Sequence, residues 1–249
     1  LLNTFKLPFN NIGKTQAQLS AIILGAVPVD TDDEWNIRVP NNLKLGKYQY
    51  IADWFLNKLN HNSELQLETH ICGVPHVVAW GGLHGAVSQY EYTCKEDEIL
   101  LMADVDQLYP TIMIVYKLLS RAVREPERFN NILATSLRLK REKKKKERQP
   151  YKDVCNITYG AMGDKYNAMY DPLHRTLVCV FGQLFVVDLL EKLEPYITLV
   201  QSNTDGILVK IKEKDFDLID DITHEWEQRT GLHMSFDLFE RVIQKDVNN

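Results

Sequence analysis

No apolar run in the 249 residues approaches the roughly 20 residues of a membrane span, so a helical membrane anchor is excluded from this stretch of chain. The first residues, Leu1-Leu2-Asn3-Thr4, lack both a starting Met and the basic-then-apolar pattern of a secretion signal, and the chain reads as an excerpt of a longer protein. Cysteine is sparse. Cys72, Cys94, Cys155 and Cys179 stand far apart with no C-x-x-C spacing, which argues against a zinc site or a disulfide framework and for reduced thiols in a cytoplasm. There is no internal repeat and no Pro/Gly/Ser linker. What remains is an ordinary globular composition, 45% apolar and 25% charged, long enough to bury a core as one large or two modest domains.

Charge is present but segregated. From Arg138 to Lys152 nine cations face only Glu142 and Glu147, a local charge of +7; with −5 for the whole chain, the remainder carries −12. Such a run is commonly a solvated helix face, yet this one leads directly into Lys152-Asp153-Val154-Cys155-Asn156-Ile157-Thr158-Tyr159-Gly160.

Periodicity supplies a coarse map. Helical patterns mark 14–24, 48–59, 110–119 and 215–229, 176–193 reads as a long buried helix, and 128–148 reads as one long helix with a basic tail. Period-two alternation marks strands at 65–71 and 87–93 and a short apolar run marks another at 76–80, with Gly81-Gly82-Leu83-His84-Gly85 as punctuation between them. Ile99-Leu100-Leu101-Met102-Ala103 is a buried strand ending on Asp104. Residues 197–200 and 207–211 form a hairpin across Asn203-Thr204-Asp205-Gly206, with Gly206 where a turn favours positive φ; strands follow at 232–238 and 242–245. Hairpin-paired strands without regular βαβ alternation predict an α+β fold, an antiparallel sheet backed by helices.

Asp104 and Asp205 each stand at an abrupt end of an apolar strand, about a hundred residues apart. Singly, either is an unremarkable polar strand end or turn residue. On adjacent strands, two such carboxylates suit a pair of Mg²⁺ ions roughly 3.5–4 Å apart, one activating an attacking oxygen and the other stabilising a leaving phosphate. The order acid, cation, acid fits chemistry on a metal-bound triphosphate.

Three segments together resemble, in order, the polymerase motifs of family B DNA polymerases. Asp104-Val105-Asp106-Gln107-Leu108-Tyr109-Pro110-Thr111-Ile112 is similar to D-x-x-S-L-Y-P-S-I, Lys152-x-x-x-Asn156-Ile157-Thr158-Tyr159-Gly160 to K-x-x-x-N-S-x-Y-G, and Asn203-Thr204-Asp205-Gly206 to D-T-D-S. The flanks at 11–19, 81–86 and 118–123 resemble the bacteriophage branch.

The resemblance implies template-directed DNA synthesis. Asp104 and Asp205 would bridge two Mg²⁺, replaceable by Mn²⁺, and Val105 would lend its carbonyl. Lys152 would neutralise the dNTP triphosphate, helped by Arg138, Arg141 and Lys144. Gln107, Leu108 and Thr204 would line the substrate, with a Gln107 backbone amide toward phosphate. Tyr109 would lie beneath the deoxyribose, and Asn156, Tyr159 and Gly160 would line the nascent base pair. Partners would be a DNA primer-template and dNTPs, with no membrane, in a cytoplasm that is the host cell's if the protein is virus-encoded.

The resemblance also divides the chain. Residues 1–98 would be a pre-palm segment with the first palm strands, 99–124 palm with the first motif, 125–160 a short helical fingers insertion, and 161–249 palm with the third motif. The exonuclease and thumb would lie elsewhere, in a longer chain or a separate subunit. Asp32-x-Glu34 matches the exonuclease signature D-x-E only formally and reads as an acidic loop.

Departures keep other readings open. Asn203 stands where the family has the first Asp of D-T-D, Gln107 and Ile157 replace serines, Gly206 replaces the last Ser, and Asp106 adds an acid. A degenerate palm acting as a nucleic-acid-binding or assembly module is one alternative. Nucleotide cyclisation on the same metal pair is another, disfavoured by Lys152 and Tyr159-Gly160.

Overall fold

A computed structural model describes residues 1–31 and 33–244. Asp32, half of the formal D-x-E, and Lys245, the end of the last expected strand, lie outside the described residues. In chain order the elements are α1 (Gln16–Ile23), α2 (Gln49–Leu56), β1 (Gln66–Ile71), β2 (Val74–Ala79), β3 (Gly82–Ala86), β4 (Tyr90–Thr93), β5 (Glu98–Val105) and α3 (Leu108–Val115), then α4 (Pro126–Arg141), α5 (Lys145–Ala161), α6 (Pro172–Leu193), β6 (Thr198–Ser202), β7 (Gly206–Lys212), α7 (Phe216–Thr230), β8 (Met234–Phe239) and β9 (Arg241–Gln244). Among the described residues no helix is long and apolar enough to cross a membrane.

The chain forms two compact units, Leu1–Asn36 with Tyr109–Val178, and Ile37–Leu108 with Cys179–Asn249. The second unit is built on a seven-stranded antiparallel sheet in the order β1-β2-β3-β6-β7-β5-β8, so the fold is the α+β class that the alternation predicts. Helices back it. Trp226 of α7 donates its indole N–H to the Phe185 carbonyl at 3.0 Å, and the buried Gln183 of α6 donates to the Ala79 carbonyl of β2 at 2.9 Å. Asp188, fully buried on α6, is neutralised by Arg229 at 2.7 Å and by Lys192, and accepts the Lys44 backbone N–H at 2.6 Å. A buried carboxylate needs this many donors.

Two expectations fail here. Gly81 to Gly85 is not punctuation: Gly82–Ala86 is the third strand, pairing with β2 and β6. Its glycines answer close contacts across the sheet rather than turns, which no local pattern can reveal. The segment 128–148 is likewise two helices. In the first unit α4 ends at Arg141 with Glu142 as its cap, Lys143 takes φ +57°, and the Lys143 and Lys144 N–H groups donate back to the Lys140 and Leu139 carbonyls at 3.0 Å each. That is a Schellman-type stop with Lys where Gly is usual. From Lys140 to Glu147 the sequence offers no apolar face for packing to hold straight. Folding back lets Phe129, Ile132, Leu133 and Leu139 of α4 and Val154, Cys155 and Ala161 of α5 be buried.

The first unit is further tied by Arg121, which forks between Asp33 and the fully buried Asp171; Asp171 also accepts the Arg121 and His174 backbone N–H groups. Its α1 starts with the Thr15/Gln18 capping box.

Candidate active site

In the second unit, β5 runs between β7 and β8, and its apolar residues Leu100, Leu101 and Ala103 are buried in the sheet. The strand therefore delivers Asp104 to a defined place, opposite Gly206 on one side and Ser235 on the other. One residue on, the Val105 N–H donates to the Asp205 carbonyl at 2.7 Å. Two carboxylates a hundred positions apart thus emerge at the same end of two neighbouring strands inside one sheet, and both residues are exposed.

The β6–β7 turn is closed by the Asn203 N–H on the Gly206 carbonyl at 2.8 Å. Gly206 is not among the residues of positive φ, so the conformational reason expected for it does not apply. Its reason is space: a Cβ there would lie 2.1 Å from Asp104 Oδ1 and 3.2 Å from the Ala103 carbonyl oxygen. Asp106 is fixed separately. The Ser235 hydroxyl donates to its Oδ1 at 2.7 Å, and the Asp106 N–H donates to the His233 carbonyl at 2.7 Å. Gln107 then adopts φ +47°, an uncommon conformation for a residue with a Cβ, and turns the chain from strand into α3 at Leu108.

Among the described residues, no three His, Cys, Asp or Glu side chains form a metal-holding group. The donor set is a pair. That fits Mg²⁺, which keeps several waters and takes one or two carboxylates together with substrate phosphates rather than an all-protein cage.

In the first unit, Lys152, Asn156, Tyr159 and Gly160 are spaced four, three and one apart along α5. They occupy one stripe of the helix, away from the buried Val154, Cys155, Thr158 and Ala161. Tyr109 meets Tyr159 ring to ring, centroids 4.2 Å apart and planes tilted by 36°. Arg175 lies over the Tyr159 ring at 5.4 Å. Gly160 is open, with nothing within 4 Å of where a Cβ would stand.

Of the expected phosphate-binding cations, Arg138 and Lys144 both pair with Glu142, at 2.8 Å each, and hold its carboxyl below the usual range. Such exposed, solvent-screened pairs add little to stability and leave both cations available to a phosphate. Arg141 is exposed at the end of α4. Thr204 is engaged with the Leu83 backbone rather than open. Arg175 and Ser235, which contact Tyr159 and Asp106, carried no sequence signal: neither lies in a motif, and both contacts are made across the fold.

No family model matches the chain, and no curated protein matches it in sequence. Among solved structures, it is similar to the family B DNA polymerase from the hyperthermophilic archaeon Pyrobaculum calidifontis, with a TM-score of 0.50 and 16% identity over 75% of this chain. The chain spans 27% of that polymerase's length. At this identity the likeness is one of fold.

Proposed function

We propose that the chain is the palm and fingers portion of a DNA polymerase that adds dNTPs to a primer 3′-hydroxyl by two-metal nucleotidyl transfer. The observation carrying this reading is the pairing of β5 with β7. It brings the exposed Asp104 and Asp205 to the same end of two neighbouring strands, with Asp104 seated over Gly206. The fold likeness to a family B polymerase and the order of the three motifs support it.

Asp104 and Asp205, with the Val105 carbonyl, would hold two Mg²⁺ ions, which when bound lower the pKa of the attacking hydroxyl and neutralise the leaving diphosphate. The chain's residues supply orientation. Lys152 offers a point charge to the triphosphate, and Arg138, Arg141 and Lys144 add charge once Arg138 and Lys144 leave Glu142. The amides at the start of α3, at Gln107 and Leu108, are donors for phosphate oxygen. Tyr109, braced by Tyr159, presents a flat face to the sugar, while Asn156 and Gly160 leave room for a base pair. Positioning and fixed charge account for most of the acceleration in such a transfer.

Primer extension on a labelled primer-template with Mg²⁺ and with Mn²⁺ tests the reading, comparing the chain with Asp104→Ala and Asp205→Ala. Extension lost in both variants is the expected result. Asn203 in place of the first D-T-D acid favours one rival, a catalytically degenerate palm that binds nucleic acid. DNA binding with neither extension nor metal-dependent dNTP binding would establish that rival.

A further inference from the structure

Three strands of the second unit are built around two empty Cβ positions. Across the sheet, His76 on β2, Gly85 on β3 and Ser202 on β6 stand in one row. The buried His76 ring lies over Gly85, where a Cβ would be 2.2 Å from its Cδ2, and so spans a whole strand to reach Ser202. Nδ1 contacts the Val74 carbonyl at 2.7 Å, an obligate acceptor, so that nitrogen carries the proton. Nε2 therefore presents a lone pair, and the buried Ser202 hydroxyl donates to it at 2.6 Å.

The second position is Gly82, where a Cβ would be 2.6 Å from Thr204 Oγ1. In that gap the Thr204 hydroxyl accepts the Leu83 N–H at 3.2 Å and reaches the Leu83 carbonyl at 3.4 Å. Ser202 and Thr204 flank Asn203 in the turn that ends on Asp205. The turn is thus gripped at two points, and at both β3 lacks the side chain that would block the contact.

We propose that Ser202 and Thr204, held by His76 and by the Leu83 backbone, form a clamp that positions Asp205, and that Gly82 and Gly85 exist to admit it. His76 and Thr204 are then positioning residues, acting through the turn without touching substrate. The inference rests on the reading of Asp205 as a metal-binding carboxylate.

Mn²⁺ binding followed by electron paramagnetic resonance tests the clamp, measured well below the melting temperature of each protein. The comparison is of the wild-type chain with Thr204→Val, Thr204→Ser, Ser202→Ala and Asp205→Ala. Partners that orient a metal ligand are worth about 10- to 100-fold in affinity, so Thr204→Val and Ser202→Ala should weaken Mn²⁺ binding by about tenfold or more. Thr204→Ser, which keeps the hydroxyl, should restore it. Wild-type Mn²⁺ affinity in Thr204→Val and Ser202→Ala, with loss in Asp205→Ala, overturns the clamp and leaves the metal site standing. Unchanged affinity in Asp205→Ala overturns the metal reading and the clamp with it. Should Ser202→Ala fail to fold, the Thr204 pair decides, because Val matches Thr in shape at a partly exposed turn.

Discussion

Asp104 and Gly206 face each other across the β5–β7 ladder, and the carboxylate of one fills the volume that a side chain on the other would occupy. Adding that side chain is a direct probe of whether the place of the carboxylate matters.

Gly206→Ala should push Asp104 Oδ1 aside, since 2.1 Å is far inside contact distance. No penalty from backbone conformation is expected, as Gly206 does not use positive φ. Overpacking should therefore cost stability about 1–2 kcal/mol. Nucleotide incorporation should fall on the order of 100-fold, the scale of a 1 Å misplacement of a reacting group. Calorimetry and single-turnover extension read the two effects separately. Wild-type turnover in a stable Gly206→Ala protein would show that Asp104 need not sit there.

Gly160→Ala should behave in the opposite way. The position is helical and a methyl there meets nothing, so the fold should gain about 0.5–1 kcal/mol. If the stripe bearing Asn156 and Tyr159 faces a nascent base pair, the same methyl should lower incorporation. A protein both more stable and equally active would remove Gly160 from the substrate-lining set.

Lys152 and the Lys143–Lys146 run should separate in assay. Lys152→Ala is expected to raise the KM for dNTP about tenfold or more, the scale of a missing hydrogen bond to a charged group, with DNA affinity little changed. Reversing the charges of Lys143, Lys145 and Lys146, and leaving Lys144 in place, should weaken DNA binding and flatten its dependence on salt, by about 0.9 in log–log slope for each phosphate no longer neutralised. Equal losses of both activities in both variants would sink this division.

Acid stability should report on Asp171. Burial alone would raise its pKa, but hydrogen bonds from the Arg121 side chain and backbone overcome that and lower it; Asp33, bonded to the same guanidinium, is lowered too. Depressed carboxylates stabilise the fold fully above pH of about 4, where unfolded Asp ionises. That contribution should fade as the pH drops through the lower values these groups have in the fold. Asp171→Asn should cost about 3 kcal/mol at neutral pH, as breaking a buried pair does, and should flatten the decline in acid. Urea unfolding between pH 2 and 7 measures both; an unchanged acid profile in Asp171→Asn would assign the decline elsewhere.

Sequence made parts of this molecule legible because some signals are local. The alternation from Leu65 to Ile71 became β1, the apolar run from Ile99 became β5, and the long, largely apolar stretch from Thr176 became part of α6, since burial of one face or of all faces is written into neighbouring residues. The turn from Asn203 to Gly206 was equally local. Where the reading went wrong, the cause lay at a distance. The break at Lys143 has no Gly or Pro to announce it and follows from two apolar faces packing together. The β3 glycines looked like turn residues because the groups that need their space, His76 of β2 and Thr204 of the β6–β7 turn, come from elsewhere in the chain.

The sequence alone thus determined the α+β class, most element positions, and the order of acid, cation and acid that named Asp104, Lys152 and Asp205. Only tertiary structure decided that β5 lies beside β7, that Asp104 sits over Gly206, that Tyr109 meets Tyr159, and that Glu142 holds Arg138 and Lys144. Periodicity records which side of a chain avoids water, and it carries no information on which strand will be its neighbour. That choice depends on contacts made across a hundred residues, and it is the choice that sets the carboxylates at the same end of two neighbouring strands.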